Sequence, residues 1–534
     1  MLTGAELLIR ALADAGVRTV FGYPGAAVLP VFDALRTSGI RFVLTRTEQG
    51  AGHAASGYSR AGEGVGVVMT TSGPGATNLI TAVATAYMDS VPMLAVTGQV
   101  SSELLGRDVF QEADVTGAVM PFVKHSYLIQ SPDEVVQTVR DALHIATTGR
   151  PGPVLIDFPI DRQQALAEYV PAAEPRLRGY KPTVRGHAVQ VARAVEAIAA
   201  AKRPLLVAGG GVFASHGVRE FRVFAQITGI PVVHTMMGKG VMPADDPLCL
   251  GMVGAFGREA ANRALTAADL IVLVGARVGD RAIATPNVLG QRASIIHIDV
   301  DPAEIGKNVS TAIPIVGDAK TVLRQLLEKM PPLDQSAWRA ELAKMAAGLP
   351  ADGAEPDVPA PYCTPCTAVE ALSRALSDDA IYVSDVGMNQ IWSARWHDVR
   401  RGKFLTSCGM GTMGYAIPAA LGASCACPGR QVAAVCGDGA FMMALPELAV
   451  LRQEGVPVKV AVFRDDALGM IEHIQRGQYG GRLFASALPA QPDLGLLAQS
   501  FGLPFFRATC DAELRGALAG WLGADGPALL EIRV

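Results

Sequence analysis

What most restricts the fold of this chain is a recurring alternation. Short runs of β-branched and aliphatic residues are separated by longer stretches with helical spacing. Such runs stand at 19–22, 42–45, 65–70, 93–97 and 153–157. They return at 204–208, 231–234, 270–274 and 294–299, and again at 381–384, 432–436, 458–463 and 528–532. A strand that is apolar throughout, rather than at every second position, is buried on both faces. That requires a parallel sheet with helices on either side. The alternation lapses twice. The first lapse is a polar segment at 171–186, and the second is 350–365, whose five prolines read as a linker. The chain thus reads as α/β, with three tandem doubly wound parallel-sheet domains at 1–165, 187–340 and 366–534.

Composition removes several function classes. Among 534 residues, half are hydrophobic and 18% are charged, which excludes disorder for most of the chain. Lys and Arg total 46 against 50 Asp and Glu, and no basic block stands out, so nucleic acid is not an expected partner. No uncharged apolar run is long enough for a membrane span, and Glu6 and Asp14 interrupt the N-terminal stretch where a signal peptide needs an apolar core. A cytoplasmic location is the expectation. Eight cysteines in so long a chain are no disulfide framework. Cys363 and Cys366 form a CxxC with no second pair nearby, and Cys425 and Cys427 read as core.

In open α/β sheets, ligands sit beyond the carboxyl ends of the strands. The run 432–436 ends in Gly437-Asp438-Gly439-Ala440-Phe441 and leads to a helix at 445–453. The next run, 458–463, ends in Arg464-Asp465-Asp466-Ala467-Leu468-Gly469. Two carboxylates, Asp438 and Asp465, therefore sit at the tips of successive strands. The glycines beside Asp438 permit close approach of a ligand, and carboxylates together with a diphosphate are the usual holders of Mg²⁺. The plain alternative is a strand-to-helix turn with a solvated Asp465; the second acidic tip favours the metal–diphosphate site.

Near the front, Thr45-Arg46-Thr47-Glu48-Gln49-Gly50-Ala51 follows a strand and opens a helix of small residues. A carboxyl buried there would have a raised pKa suited to relaying a proton. A surface Glu serving the helix dipole fits the same residues equally well. Gly209-Gly210-Gly211 after the run 204–208 is either a phosphate-binding turn or only a turn. No GxGxxG follows the first strand, which argues against a nicotinamide dehydrogenase.

Longer strings carry more. Gly22-Tyr23-Pro24-Gly25, Glu48-Gln49-Gly50, Thr71-Ser72-Gly73-Pro74-Gly75-Ala76-Thr77-Asn78 and Tyr87-Met88-Asp89-Ser90-Val91-Pro92 stand in the first block. His297-Ile298-Asp299-Val300-Asp301-Pro302-Ala303-Glu304 and Gly411-Thr412-Met413-Gly414 follow. Together with the GDG string and the polar pair after it, these resemble the acetolactate synthase (acetohydroxyacid synthase) large-subunit family over nearly the whole chain. The resemblance implies thiamine diphosphate and Mg²⁺ as cofactors. It implies that pyruvate or another 2-oxo acid is decarboxylated and its remainder joined to a second 2-oxo acid, the small-molecule substrates. By the same resemblance Glu48 bonds N1′ of the cofactor's aminopyrimidine. Asp438, Asp465 and the Ala467 carbonyl bind the metal, and Met413 supports the bent cofactor. Gly25, Val386, Gly387, Met388, Asn389, Gly411, Gly437, Gly439, Ala440, Leu468, Gly469 and Met470 are the further cofactor positions.

Gln111, Phe110 and Lys124 match positions lining the second-substrate pocket, and Arg281 matches an arginine that binds that substrate's carboxylate. The resemblance also implies FAD, held structurally by Arg150, Gly209, Gly210, Gly211, Gly275, Ala276 and Arg277, with Gly251-Met252-Val253-Gly254 in support. It implies a homodimer or homotetramer in which Glu48 of one subunit meets Asp438 of another, and a small regulatory subunit as a further partner.

The chain departs from the family's pattern at several positions. Arg464-Asp465 replaces the usual Asn-Asn, Val278-Gly279-Asp280-Arg281 replaces Phe-Asp-Asp-Arg, Ala26 replaces a Gly, and Ile474 replaces a pocket Trp. The sequence stops at Val534, where the family has a closing tail, so a more open pocket is the reading. Acetolactate formation is the leading expectation. A related decarboxylase, a carboligase with another acceptor, and a non-catalytic thiamine-binding relative are the alternatives.

Overall fold

The computed structural model describes residues 1–62, 64–283, 286–349 and 362–534, without the side chains of 286–288. Most of the expected linker, 350–361, lies outside the described residues. The described residues form three six-stranded sheets and one two-stranded pair, Leu2–Thr3 with Leu166–Ala167. The first sheet runs Arg41–Leu44, Thr19–Tyr23, Gly66–Thr70, Met93–Gln99, Pro153–Pro159, His125–Leu128. The second runs Cys249–Met252, Val232–His234, Pro204–Ala208, Leu270–Val274, Ser294–Asp299, Ile313–Val316. The third runs Lys403–Thr406, Ile381–Ser384, Val432–Gly437, Val458–Arg464, Ala528–Arg533, Phe505–Ala508. Counted along the chain, the first and third sheets share the order 2-1-3-4-6-5, whereas the second is 3-2-1-4-5-6. Pairing within them is parallel, as in Val67 opposite Leu94, Val272 opposite Ile296 and Val435 opposite Ala461.

The strands foreseen as apolar runs are the inner ones and one edge, Arg41–Leu44. Those not foreseen are all edges: His125–Leu128, Cys249–Met252, Ile313–Val316, Lys403–Thr406 and Phe505–Ala508. An edge strand is less completely covered and tolerates polar side chains. The side chains of His125-Ser126-Tyr127-Leu128 are partly or wholly exposed, and Pro314 faces out between buried Ile313 and Ile315.

The chain divides into two compact units. One comprises Met1–Tyr180, Ile381–Gln390 and Leu405–Val534 and carries the first and third sheets; the other comprises Lys181–Ala380 and Ile391–Phe404 and carries the second. Within the first unit, helix Glu48–Ala61 lies along helix Ala416–Ala426. Small residues make this approach possible: Ala51, Ala54, Ala55, Ala419, Ala420 and Ala423 are fully buried. A methyl on Gly57 would overlap the Ala419 carbonyl, and one on Gly422 the Ala54 carbonyl. In the second unit, alternate residues of each strand feed opposite cores. Leu206, Val272, Val274 and Ile296 pack with Phe221 and Phe224, and Leu205, Ile271, Leu273 and Ile295 pack with Trp338.

The helix expected at 445–453 is Glu447–Glu454, and a separate short helix, Asp438–Met443, precedes it. Pro446, which has no N–H to donate, stands at the break.

Candidate active site

In each sheet the strand order reverses at one gap, where an open α/β sheet offers its crevice. In the third sheet the gap lies between Ile381–Ser384 and Val432–Gly437. Asp385, at the tip of the first of these strands, is fully buried. It accepts hydrogen bonds from the backbone N–H of Val386 (2.8 Å), Gly414 (2.9 Å) and Ala416 (2.8 Å). Burial raises its pKa to about 6 against those three bonds. Asn389 donates its amide to the carbonyls of Asp385 (3.0 Å) and Val435 (3.2 Å), tying the two strand tips together. Gly387, at φ +136°, adopts a backbone that favours glycine between them.

Asp438 begins the helix at the second tip and is 3% exposed. Its carboxylate accepts from the N–H of Gly439 and of Asp466, both at 2.8 Å. Burial nevertheless raises its pKa to about 6. Asp465 lies at the next tip and accepts from the Ala467 N–H at 3.1 Å. Solvent reaches this residue, yet loss of water around the carboxyl and then the Asp438 charge raise it to about 7. The loop is braced by Leu468 N–H on the Ser486 carbonyl (2.7 Å) and Leu488 N–H on that of Asp466 (2.8 Å). A methyl on Gly469 would stand 2.6 Å from Asp465 Oδ2 and 3.3 Å from Met388, and one on Gly439 2.9 Å from Leu468 and 3.5 Å from Met413. The foreseen positions Met388, Met413, Gly439, Asp465, Leu468 and Gly469 are therefore brought together. Gly411, at φ +69°, and Thr412 precede Met413; the Thr412 hydroxyl bonds that of Thr85 at 2.7 Å. Asp89 holds the start of this loop by accepting from Gly409 N–H at 2.7 Å.

Among the described residues no group of three or more His, Cys, Asp or Glu could hold a metal ion. Two mutually repelling carboxyls, short of protein ligands, fit a divalent cation that takes its remaining oxygens from a diphosphate and water.

The first sheet has its gap between Thr19–Tyr23 and Gly66–Thr70. Gly25 follows the first tip, where a methyl would come within 2.5 Å of Thr71. Glu48 is the first residue of its helix, and Thr47 caps it by accepting from Gly50 N–H at 2.9 Å. The Asn78 amide donates to Glu48 Oε2 at 3.2 Å. Glu48 is partly buried, between the enclosed and the surface carboxyl that the sequence left open. Gln111, at a left-handed φ of +59°, lies against Gly73. Phe110 beside it is 87% exposed.

The second sheet has its gap between Pro204–Ala208 and Leu270–Val274. Gly209-Gly210-Gly211 and Gly275-Ala276-Arg277 cross there, with Gly209 N–H on the Val274 carbonyl (3.0 Å) and Gly211 N–H on that of Gly275 (2.9 Å). A methyl on Gly209 would overlap the Gly275 carbonyl, so the crossing itself demands glycine whatever ligand is bound. Arg281 is exposed in the same unit, 3.8 Å from Asp280. Arg150 belongs to the other unit and donates to Ser90 Oγ at 2.9 Å.

Lys124 is not gathered with Gln111. Its ammonium donates to the carbonyls of Ile145 and Thr148, the latter at 2.7 Å, and to the Tyr180 hydroxyl at 3.0 Å. These carbonyls end helix Val135–Thr147, so the lysine caps a helix.

Comparison with known families agrees with this geometry. Residues 2–118 match the thiamine pyrophosphate enzyme N-terminal TPP binding domain, 191–326 the central domain, and 385–532 the C-terminal TPP binding domain. The chain is 44% identical to the acetolactate synthase large subunit of Corynebacterium glutamicum, over 97% of this chain and 84% of that one. It belongs to the acetolactate synthase family. The "Probable acetolactate synthase large subunit" of Methanocaldococcus jannaschii is 43% identical over 99% of this chain and 92% of its own. The acetolactate synthase of Arthrospira platensis is 40% identical over 100% and 94%. Within this acetolactate synthase-like chain, Asp385, Asp89 and Glu447, whose carboxylate accepts from the Thr47 N–H at 3.1 Å, are site-building residues that sequence reasoning missed. Asp385 carried the signal that exposed Asp438, an acid at a strand tip. Among the described residues no helix is long and apolar enough to cross a membrane.

Proposed function

We propose that this chain is a thiamine-diphosphate-dependent acetolactate synthase, which decarboxylates pyruvate and joins the two-carbon remainder to a second 2-oxo acid. The observation that carries the reading is the pair of matching crevices. One holds Glu48 with Asn78, and the other holds Asp438 and Asp465 with unbalanced negative charge. Bound thiamine diphosphate supplies an electron sink for the decarboxylated fragment. Asp438, Asp465 and the Ala467 carbonyl hold Mg²⁺ on its diphosphate. Glu48 holds a proton at N1′ of the aminopyrimidine, and Asn78 fixes the orientation of the carboxyl that does so. Met413 supports the ring, while Asp385 and Asp89 hold the loop that carries Met413.

Gln111, with Phe110, borders the acceptor. Lys124 has no part in this proposal because its donors serve the helix end. Glu48 of one subunit works with Asp438 of a second, so the active form is a homodimer or a larger assembly, in the cytoplasm, with a small regulatory subunit as a further partner. FAD bound by Gly209–Gly211 and Gly275–Arg277 has a structural role. A flavin absorption spectrum of the purified protein tests this last point.

The activity is tested by incubating the protein with pyruvate, thiamine diphosphate and Mg²⁺. Acetolactate is the expected product, and Glu48→Gln reduces turnover by about 10²-fold or more while leaving the melting temperature within a few degrees. Acetaldehyde without acetolactate rejects the carboligase reading, and undiminished turnover by Glu48→Gln rejects the mechanism.

A further inference from the structure

Phe110 and Gln111 stand on a segment that hydrogen bonds fasten to the rest of the protein only at its two ends. At one end Ser102 donates its N–H to Asp161 Oδ1 at 2.9 Å and its hydroxyl to Oδ2 at 2.6 Å. At the other end the buried Gln99 side chain donates to the Ala113 carbonyl at 2.8 Å. Between these anchors, residues 103–112 make no hydrogen bond outside 101–112 among the described residues. None of the ten is buried. A segment with so little packing has no core contact to fix its shape. Its backbone nonetheless takes a costly course. Gly106 has φ +77°, Asp108 +54° and Gln111 +59°, and for the two with side chains the left-handed region is unfavourable.

The Glu112 carboxylate holds this shape. One oxygen accepts from the Gly106 N–H, and the other accepts from the Val109 N–H at 3.1 Å. The N–H of Glu112 returns to the Val109 carbonyl at 3.0 Å and closes the turn that contains Phe110 and Gln111. The Gly106 N–H holds the Glu112 carboxyl below its ordinary pKa against some loss of water, and the N–H groups of Val109, Arg107 and Asp108 add to it. Both oxygens are engaged as acceptors. A glutamine here would turn its NH₂ towards one of the two N–H groups, and an aspartate is one methylene short of spanning them.

The turn delivers Gln111 to a definite place. A methyl on Gly73 would stand 2.9 Å from both the Cβ and the carbonyl oxygen of Gln111. Gly73 is the N-cap of helix Pro74–Met88, and Asn78 in that helix donates to Glu48. Gln111 therefore rests on the same helix start that brings Asn78 to Glu48.

We propose that Glu112 is a positioning residue for the carboligation, holding the turn 109–112 so that Gln111 and Phe110 border the acceptor 2-oxo acid. This rests on the acetolactate synthase reading above. Glu112 touches no substrate; it acts through Gln111. Its effect falls on the seating of the acceptor, and so on whether the two-carbon fragment is joined to it or lost.

The test uses the full-length protein with thiamine diphosphate and Mg²⁺, as parent and as Glu112→Gln. Hydrogen exchange followed by mass spectrometry is expected to run about tenfold faster across 103–112 in the variant, with the melting temperature within a few degrees of the parent's. With pyruvate as the substrate, CO₂ and acetolactate are measured separately. The ratio of acetolactate to CO₂ should fall about tenfold, and the pyruvate concentration that half-saturates acetolactate formation should rise relative to that for CO₂ release. A variant that merely lost stability would lower both products in step. Unchanged exchange across 103–112 overturns the proposal, as does faster exchange with the parent's product ratio. A parent that makes no acetolactate fails the acetolactate synthase reading instead, and the exchange rates still decide whether Glu112 holds the turn.

Discussion

Glu447 holds the cap of the helix that begins at Glu48. Its Oε1 accepts from both the N–H and the hydroxyl of Thr47 at 3.1 Å, and from Arg46 N–H at 3.2 Å. The same hydroxyl accepts from Gly50 N–H, and a methyl on Gly50 would collide with the Glu447 carboxylate. One buried carboxylate thus satisfies two backbone donors and sets the orientation of the turn ahead of Glu48. Glu447→Ala leaves these donors unmet, and a loss of about 2–5 kcal/mol of stability is expected. Glu447→Gln keeps one acceptor but turns an NH₂ towards the Arg46 N–H, so an intermediate loss is expected. Urea unfolding of the three proteins checks the order, and kcat for pyruvate should fall in parallel. An alanine variant as stable as the parent would remove Glu447 from this role.

The approach of helices Glu48–Ala61 and Ala416–Ala426 makes a sharper demand. Gly57 and Gly422 each face a carbonyl of the opposite helix with no room for a methyl. Ordinarily Gly→Ala inside a helix is stabilising by up to about 1 kcal/mol. Here Gly57→Ala must push the helices apart, and a loss of about 3 kcal/mol or more is expected. Gly516→Ala, in helix Asp511–Gly523, meets open space and should be neutral or stabilising. A thermal melt of both variants separates overpacking from propensity, and similar melting temperatures would contradict the steric account.

Much of this organisation was legible because the inner strands are apolar along their whole length and the motifs fall at their tips. Asp438 and Asp465 could be placed by counting from 432–436 and 458–463 alone. Edge strands such as Lys403–Thr406 escaped because half-covered strands have no reason to be uniformly apolar. The bonds that build the site escaped for another reason. Glu447 meets Thr47, and Asp89 meets Gly409, across some 400 and 320 residues of chain, and nothing local to either partner announces the other. Lys124 illustrates the converse. The family resemblance implied a place in a pocket, whereas its ammonium donates to the carbonyls of Ile145 and Thr148 at a helix end.

The Asp438–Asp465 pair leads to a prediction about metal dependence. Each carboxylate opposes ionisation of the other, so without a cation the loop is held under repulsion. Asp465→Asn keeps an oxygen ligand and removes one charge. The variant is expected to melt at a higher temperature than the parent in EDTA and to gain less on adding Mg²⁺. Its half-saturating Mg²⁺ concentration should rise, because one anionic ligand is gone. Calorimetric melts with and without the metal decide this; an equal gain from Mg²⁺ in both proteins would refute it.

Asp157 ties stability to pH. It is 2% exposed and accepts from Thr97 Oγ1 at 2.7 Å and Gln99 Nε2 at 2.9 Å. Burial raises its pKa to about 7 against these two bonds, with a small addition from Asp114. The folded chain therefore binds this proton more tightly than the unfolded chain, whose carboxyl titrates near its ordinary value of 3.8. Between pH about 4 and 7 the folded state holds more protons, so stability falls as pH rises through that window and levels off above it. The slope from this one group is at most about 1.4 kcal/mol per pH unit. Asp157→Asn removes the titration. Its Oδ1 still accepts from Thr97, but its NH₂ confronts the Gln99 amide, so the variant starts less stable at pH 5 and loses less on going to pH 8. The other raised carboxyls, including Asp385, are common to both proteins and cancel in the difference. Gln99 also donates to the Ala113 carbonyl at 2.8 Å, which links this titration to the segment two residues past Gln111. Urea unfolding at pH 5 and pH 8 measures the effect, and an equal loss in parent and Asp157→Asn would show that Asp157 does not cause it.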